Sequence, residues 1–257
     1  MCTAIEFNNI SKQYHLGVVS TKTLGQDICQ WWMMNVMHKQ YNCKTSGEGI
    51  DSHWALRDID LKIEEGDIVG ILGKNGAGKS TMLKLLSRIV APTTGYIYTN
   101  GRIGSLLEIG TGFHYEMTGR ENIFMNGAIL GMTKKEIKHK LDEIIDFSGC
   151  ELYIDTPVKR YSQGMMVRLG FAVAAHLNPD ILVIDEVLSI GDSEFPSKAV
   201  NKLKEINKHG VTILFVSHNM EIVKSLCKTG FLLENGIIKN KGDINEIVSL
   251  YKNNIIN

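Results

Sequence analysis

The 257-residue sequence predicts an α/β fold with a parallel sheet, an antiparallel β portion and an inserted helical block. Short apolar runs rich in β-branched residues alternate with helical stretches, which is the pattern of a parallel sheet with crossover helices. A mainly helical stretch, from about residue 112 to 177, then separates the first strand and helix from the later strands. We therefore expect a helical subdomain inserted into the α/β core.

Three apolar runs are too short for helices and predict buried parallel strands, at 68–72, 181–184 and 212–216. Helical spacing after the first run predicts a helix over 79–90, which Pro92 stops. Residues 230–241 predict a hairpin that turns at 234–236.

The helical block contains two predicted helices. Thr133 and Glu136 form a capping box that opens a helix toward Phe147, and an Ala-, Val- and Leu-rich stretch predicts a helix over 164–177. Asp243 and Glu246 predict the cap of a last short helix that ends near Tyr251.

Residues 15–53 are predicted to be an insertion, because they separate the opening strand from the next strand signal and contain few strand signals of their own. Helical spacing within this insertion creates an apolar stripe formed by Ile28, Trp31, Trp32 and Val36. Two interpretations stay open: the stripe packs on the core, or it docks on a membrane surface or a partner.

Composition excludes several classes of protein. Lys+Arg and Asp+Glu number 28 each, so no overall attraction to nucleic acid is expected. Five scattered cysteines without a C-x-x-C pair indicate reduced cytosolic thiols. The chain has neither a secretory leader nor a run of ~18 apolar residues. It is therefore predicted to be neither secreted nor membrane-spanning by itself.

Residues 73–80 match the phosphate-loop pattern G-x-x-x-x-G-K-[ST] between a predicted strand and a predicted helix. Backbone N–H groups of such a loop and the helix N-terminus bind the phosphates of ATP. Lys79 is expected to reach the β- and γ-phosphates, and Ser80 to ligate Mg²⁺. The predicted nucleotide contacts here are Gly73, Lys74, Asn75, Gly76, Ala77, Gly78, Lys79, Ser80 and Thr81.

Three further polar residues follow apolar strands. Asp185 is expected to hold the Mg²⁺ shell, and Glu186 to orient the attacking water. The alternative is that this Asp-Glu pair merely begins a solvated loop. His218 follows the next strand, where an imidazole can touch the γ-phosphate or act as a structural hydrogen-bonding group.

The order of these motifs, with Tyr161-Ser162-Gln163-Gly164-Met165 opening a helix that carries Arg168, resembles the nucleotide-binding domain of ABC transporters over residues 3–250. The resemblance implies a P-loop NTPase core in one domain, 1–257, that hydrolyses ATP. It also implies a head-to-tail homodimer in which Ser162, Gln163 and Gly164 contact the ATP of the other copy.

The sequence departs from the family pattern at several places. Gln163 and Met165 replace the usual glycine and glutamine of the signature, so slow turnover is expected. Glu108 is the nearest candidate for the missing Q-loop glutamine. The adenine-stacking aromatic is Tyr14, preferred by its motif context, or Trp54; either aromatic could instead pack in the core.

Further motifs resemble the ATPase subunits that export O-antigen, capsular polysaccharide or teichoic acid, at 54–56, 106–114, 118–122 and 172–176. The resemblance implies an integral membrane permease as partner, a lipid-linked polysaccharide as transported substrate and a peripheral position on the cytoplasmic face of the bacterial inner membrane. The sequence stops at Asn257, so no carbohydrate-binding domain is expected. The alternatives are the ATPase of another ABC transporter, or a soluble ABC-type ATPase acting on nucleic acid or ribosomes.

Overall fold

The structure is a computed structural model that describes residues 2–15, 52–106, 112–185, 194–217 and 219–256. The apolar stripe expected at Ile28, Trp31, Trp32 and Val36 lies outside these residues.

The chain divides into two compact units. The first comprises Met1–Lys12 and Ala55–Asn257, and the second comprises Gln13–Trp54. Within the second unit, the side-chain amide of Gln13 donates to Ser52 Oγ at 2.7 Å.

The strands and helices of the described residues are numbered in chain order. The strands are β1 Thr3–His15, β2 Ser52–Glu64, β3 Ile68–Leu72, β4 Thr94–Thr99, β5 Ile103–Leu106, β6 Ile181–Asp185, β7 Thr212–Val216, β8 Thr229–Glu234 and β9 Ile237–Asp243. The helices are α1 Lys79–Leu86, α2 Gly119–Ile129, α3 Lys134–Ser148, α4 Gln163–Ala175, α5 Phe195–Lys208, α6 Met220–Leu226 and α7 Ile244–Ile256.

A six-stranded sheet with the order β5-β6-β7-β3-β8-β9 forms the centre of the α/β core. Strands β5, β6, β7, β3 and β8 run parallel, and β9 pairs antiparallel with β8. All five residues of β3 and of β7 are buried. The predicted parallel strands and the predicted hairpin are therefore confirmed. A smaller sheet has the order β2-β1-β4.

Alternate residues of the large sheet face two hydrophobic cores, as the two-residue period of a strand requires. Leu182, Ile184 and Phe215 face the core formed with α2 to α7. Val183 and Leu214 face the core formed with α1 and the small sheet. No helix in the described part of the chain combines the length and apolar character needed to cross a bilayer.

Capping residues delimit the helical block. Thr133 and Glu136 form the predicted capping box of α3, and Thr118 and Glu121 form a second one at the start of α2. Short 3₁₀ helices at 151–153 and 158–160 lead from α3 to the N-cap of α4, Ser162.

Three predicted helix ends are wrong. Helix α1 ends at Leu86, because Arg88 adopts a left-handed conformation (φ 59°) and the Ile89 N–H returns to the Lys84 carbonyl at 2.9 Å. This is a Schellman termination with arginine in the place usually taken by glycine. Helix α4 ends at Ala175, two residues early, and α7 continues past Tyr251 to Ile256.

Candidate functional site

The glycine-rich loop joins the buried strand β3 to α1 and is packed against the β8–β9 hairpin. A Cβ on Gly73 would lie 2.4 Å from the carbonyl oxygen of Leu233, so only glycine fits. Gly78 has φ +106°, and a Cβ there would lie 2.5 Å from the Ala55 carbonyl oxygen. Gly76, at the exposed tip, has φ +80° with open space beside it. The glycines therefore allow a tight, concave backbone turn that fits a chain of phosphates.

Lys79 holds a positive charge at this loop. Its side chain is only 9% exposed, and its Nζ donates to the carbonyl oxygens of Gly73 at 2.7 Å and Lys74 at 3.1 Å. Because Lys79 also begins α1, its ammonium group and the positive end of the helix dipole lie at the same place. Both features favour the binding of a polyphosphate anion.

A hydroxyl and a carboxylate meet at the carboxyl edge of the sheet. Ser80 lies in the first turn of α1, and Asp185 ends β6, 105 positions later in the chain. Ser80 Oγ donates to Asp185 Oδ2 at 3.3 Å. Hard oxygen groups of this kind suit Mg²⁺, so the predicted pairing of these two residues fits a phosphate-bound magnesium ion.

The next strand end also lies at this edge. Asp185 of β6 is paired in register with Val216, the last residue of β7. Ser217 follows Val216 and is buried, and its hydroxyl accepts the Asn219 N–H at 3.1 Å. The predicted catalytic residues Glu186 and His218 lie outside the described residues, as does Glu108.

Residues 161–165 carry the signature motif of the family resemblance, and this segment, the signature turn, forms the start of α4. Ser162 is the N-cap, and its exposed Oγ accepts the Met165 N–H at 3.2 Å. Gln163 is exposed, and the heavy atom nearest to a Cβ built on Gly164 is Ser162 Oγ, at 3.9 Å. The first turn of α4 contains no acidic side chain. The positive end of this helix is therefore open to an anion from solvent or from another molecule.

Both candidates for adenine stacking, Tyr14 and Trp54, lie in the second compact unit, whereas the phosphate loop lies in the first. Tyr14 is 36% exposed, and Trp54 is half-buried. Adenine stacking by Tyr14 or Trp54 stays a prediction.

Sequence reasoning missed the support that the β8–β9 turn gives to the phosphate loop. The Gly236 N–H donates to the Ala77 carbonyl oxygen at 3.0 Å, and the Gly236 carbonyl accepts the Arg57 N–H at 2.8 Å. The turn signal at 234–236 predicted a hairpin but carried no information about its neighbours, because these bonds join residues far apart in the chain.

The phosphate loop, its buried lysine and the hydroxyl–carboxylate pair at the sheet edge define a P-loop nucleoside triphosphatase, here with an inserted helical block. The model of the ABC transporter family matches residues 56–189. The chain belongs to this family, and it is an ATP-binding subunit that hydrolyses ATP.

Curated relatives share nearly half of their aligned residues with this chain. An O-antigen export system ATP-binding protein of Klebsiella pneumoniae is 46% identical over 198 residues, 77% of this chain and 80% of the relative. A teichoic acids export ATP-binding protein of Bacillus anthracis is 45% identical over 199 residues, 77% of this chain and 36% of the relative. The sequence resemblance to this group is confirmed.

A solved structure has the same fold. A dimeric ATP-binding cassette in a post-hydrolysis state, bound to ADP and Pi, superposes with a TM-score of 0.71 at 21% identity, covering 93% of this chain and 98% of that one. The predicted α/β P-loop NTPase fold is therefore confirmed.

Proposed function

We propose that this chain is the ATPase subunit of a bacterial exporter of a lipid-linked polysaccharide or teichoic acid. The observation that carries the proposal is the identity of 46% and 45% to O-antigen and teichoic acid export proteins over 77% of the chain. The subunit acts as a homodimer with an integral membrane permease, at the cytoplasmic face of the membrane. Nucleic acid is not a partner, consistent with equal numbers of acidic and basic residues.

The site residues divide the work of ATP hydrolysis. The loop 73–81 binds the phosphates, and Lys79 neutralises the charge of the β- and γ-phosphates. Ser80 and Asp185 hold Mg²⁺, which neutralises phosphate charge when bound. Glu186 orients the attacking water and His218 touches the γ-phosphate, while Tyr14 stacks on adenine and Glu108 takes the Q-loop position.

The signature turn of each copy acts on the ATP held by the other copy. The N-terminus of α4 is exposed and has no acid in its first turn, so it still has the capacity to bind an anion. The phosphate loop already has the N-terminus of α1 as its own helix end. A second copy supplies a γ-phosphate to the open end of α4.

Complementation between two inactive variants tests this trans arrangement. Lys79→Ala removes phosphate binding, and Ser162→Arg blocks the signature turn. A heterodimer of the two, isolated through two different affinity tags, retains one intact site and is expected to hydrolyse ATP at about half the wild-type rate. If the heterodimer is as inactive as either homodimer while all variants dimerise, the trans arrangement is wrong.

The export role is tested by asking whether the chain associates with a membrane permease and whether glycan export depends on it. The wild-type chain is expected to co-purify with a hydrophobic membrane partner, and the Glu186→Gln variant is expected to keep that association while cells accumulate unexported lipid-linked glycan. Association with ribosomes or nucleic acid, with glycan export unchanged, would favour the soluble ABC-type ATPase instead.

A further inference from the structure

Asn122, in the first turns of α2, clamps the chain that precedes this helix. Its side chain is fully buried (0% exposed), and its Oδ1 accepts the His114 N–H at 2.7 Å. Its Nδ2 group donates to the carbonyl oxygens of His114 (3.1 Å), Met117 (3.1 Å) and Thr118 (2.9 Å). This amide therefore holds the turn 114–118, together with the backbone hydrogen bond from the Met117 N–H to the His114 carbonyl at 3.0 Å.

The turn 114–118 holds the segment 157–159 by backbone hydrogen bonds. The Tyr115 carbonyl accepts the Lys159 N–H at 3.0 Å, and the Met117 carbonyl accepts the Val158 N–H at 2.9 Å. Thr118 and Pro157 form an isolated β-bridge beside them. These bonds couple the position of the segment 157–159 to the shape of the turn that Asn122 helps to hold.

The segment 157–159 leads directly to the signature turn. The 3₁₀ helix Val158–Arg160 is followed by Tyr161, and then by Ser162, the N-cap of α4. Tyr161 is buried, and its hydroxyl donates to the Tyr153 carbonyl at 2.7 Å. A Cβ on Gly119 would lie 2.2 Å from this hydroxyl, so the start of α2 and the entry to α4 are in tight contact.

We propose that Asn122 is a positioning residue for ATP hydrolysis: it places the signature turn for the ATP of the partner copy. This inference rests on the proposed trans arrangement. The Asn122 amide accepts the His114 N–H and donates to the carbonyls of the turn 114–118. An alanine side chain can make none of these hydrogen bonds. Loss of the amide shifts the turn 114–118, the segment 157–159 and the N-terminus of α4, while the phosphate loop keeps its own supports.

The heterodimer of Lys79→Ala with Ser162→Arg makes this inference testable in one measurement. Its single intact site uses the signature turn of the Lys79→Ala chain and the phosphate loop of the Ser162→Arg chain. Asn122→Ala added to the Lys79→Ala chain is expected to lower kcat by roughly tenfold to a hundredfold, as for displaced catalytic groups. The same change in the Ser162→Arg chain is expected to leave kcat within about twofold, since Asn122 there serves only the blocked turn.

Asn207→Ala is the matched control. Asn207 also clamps a turn through its side-chain amide, which donates to the carbonyls of Gly66 at 2.8 Å and Val211 at 2.9 Å, but it lies in α5. This variant is expected to lower the melting temperature without any difference between the two chains of the heterodimer. Asn122→Ser, which keeps one hydrogen-bonding group, is expected to fall between wild type and alanine and serves if alanine prevents folding.

The outcomes separate the inference from the proposed function. Equal loss from Asn122→Ala in either chain, or no loss in the Lys79→Ala chain, would overturn the positioning role while the trans arrangement stands. An inactive heterodimer with Asn122 intact would overturn the trans arrangement and the inference together. ATP affinity of the Asn122→Ala chain is expected to equal that of wild type, because its own phosphate loop is unchanged.

Discussion

The packing of the phosphate loop depends on a few glycines at which backbone atoms of other segments approach too closely for a side chain. Gly236 illustrates this: it has φ +78°, and a Cβ there would lie 2.7 Å from the Ala55 carbonyl oxygen. Its N–H donates to the Ala77 carbonyl oxygen. Neighbouring Asn235, with φ 48°, tolerates the left-handed region better than most residues. A small change in this turn is therefore transmitted to the phosphate loop.

At the residue scale, Gly236→Ala is expected to destabilise the chain by about 1–3 kcal/mol, because it combines left-handed strain with a backbone clash. It is also expected to weaken ATP binding through the shifted Ala77. Gly210→Ala is the matched control: Gly210 has φ +93° but no atom within 4 Å of its Cβ, so only about 1 kcal/mol of strain is expected. Urea unfolding and ATP titration measure both effects; equal effects on ATP affinity would contradict the prediction.

At the scale of the elements, the helical block depends on its capped helices. Helix α3 begins with a reciprocal box in which the Thr133 N–H donates to Glu136 Oε2 at 2.6 Å and Thr133 Oγ1 accepts the Glu136 N–H at 3.3 Å. The Thr133 backbone N–H and, to a smaller extent, the Thr133 hydroxyl hydrogen-bond to the Glu136 carboxylate and hold the pKa of Glu136 below its ordinary value. Gly149 then ends the helix in the left-handed conformation.

Thr133→Ala is expected to lower the free energy of unfolding by about 1 kcal/mol, because a backbone donor loses its acceptor. The pKa of Glu136 is expected to rise part of the way toward its ordinary value in this variant, because alanine lacks the hydroxyl that hydrogen-bonds to the carboxylate but keeps the backbone N–H. An NMR titration of the carboxyl measures this change. Thr133→Ser keeps the hydroxyl and is expected to leave both quantities close to wild type. An unchanged Glu136 pKa in the alanine variant would show that the Thr133 hydroxyl does not act on the carboxylate.

At the scale of the whole molecule, a cluster of rings joins the helices on one face of the large sheet. Phe147, Phe171 and Phe195 contact each other with ring centroids 5.7 to 6.0 Å apart, and His176 packs edge-on to Phe147 at 5.6 Å. His176 Nδ1 lies 2.7 Å from the Ala172 carbonyl oxygen. Burial lowers the pKa of His176 below its ordinary value, so the folded protein keeps this ring neutral.

Stability is therefore expected to fall as the pH drops below about 6.5, the ordinary histidine pKa, because the unfolded chain then binds a proton that folded His176 resists. Above that pH the contribution is complete. His176→Leu is expected to flatten this part of the pH dependence of the melting temperature. A slope that survives in His176→Leu would assign it to another group.

The sequence alone determined those parts of the molecule that depend on local patterns. The glycine-rich motif, the apolar runs of β3, β6 and β7, and the capping box of α3 each involve residues within a few positions of one another. Backbone conformation and burial at such short range follow from residue type and spacing. The family, the fold and the ATPase activity followed from these patterns together.

Local patterns were insufficient to predict where a helix ends when backbone hydrogen bonds decide its last turn. The apolar spacing continues through Ile89, yet α1 ends at Leu86 because Arg88 adopts a left-handed conformation. The sequence has no glycine at this position that would have predicted the helix end. Ile89, which lies beyond this helix end, is 62% exposed.

Only the tertiary structure decided the distant contacts that no motif predicts. It set the β8–β9 turn against the phosphate loop, and it linked the turn held by Asn122 to the start of the signature helix α4. These contacts depend on the register of strands and on the approach of backbone groups from separate elements. The residue type at one position does not identify the distant residue that it will contact in the folded chain.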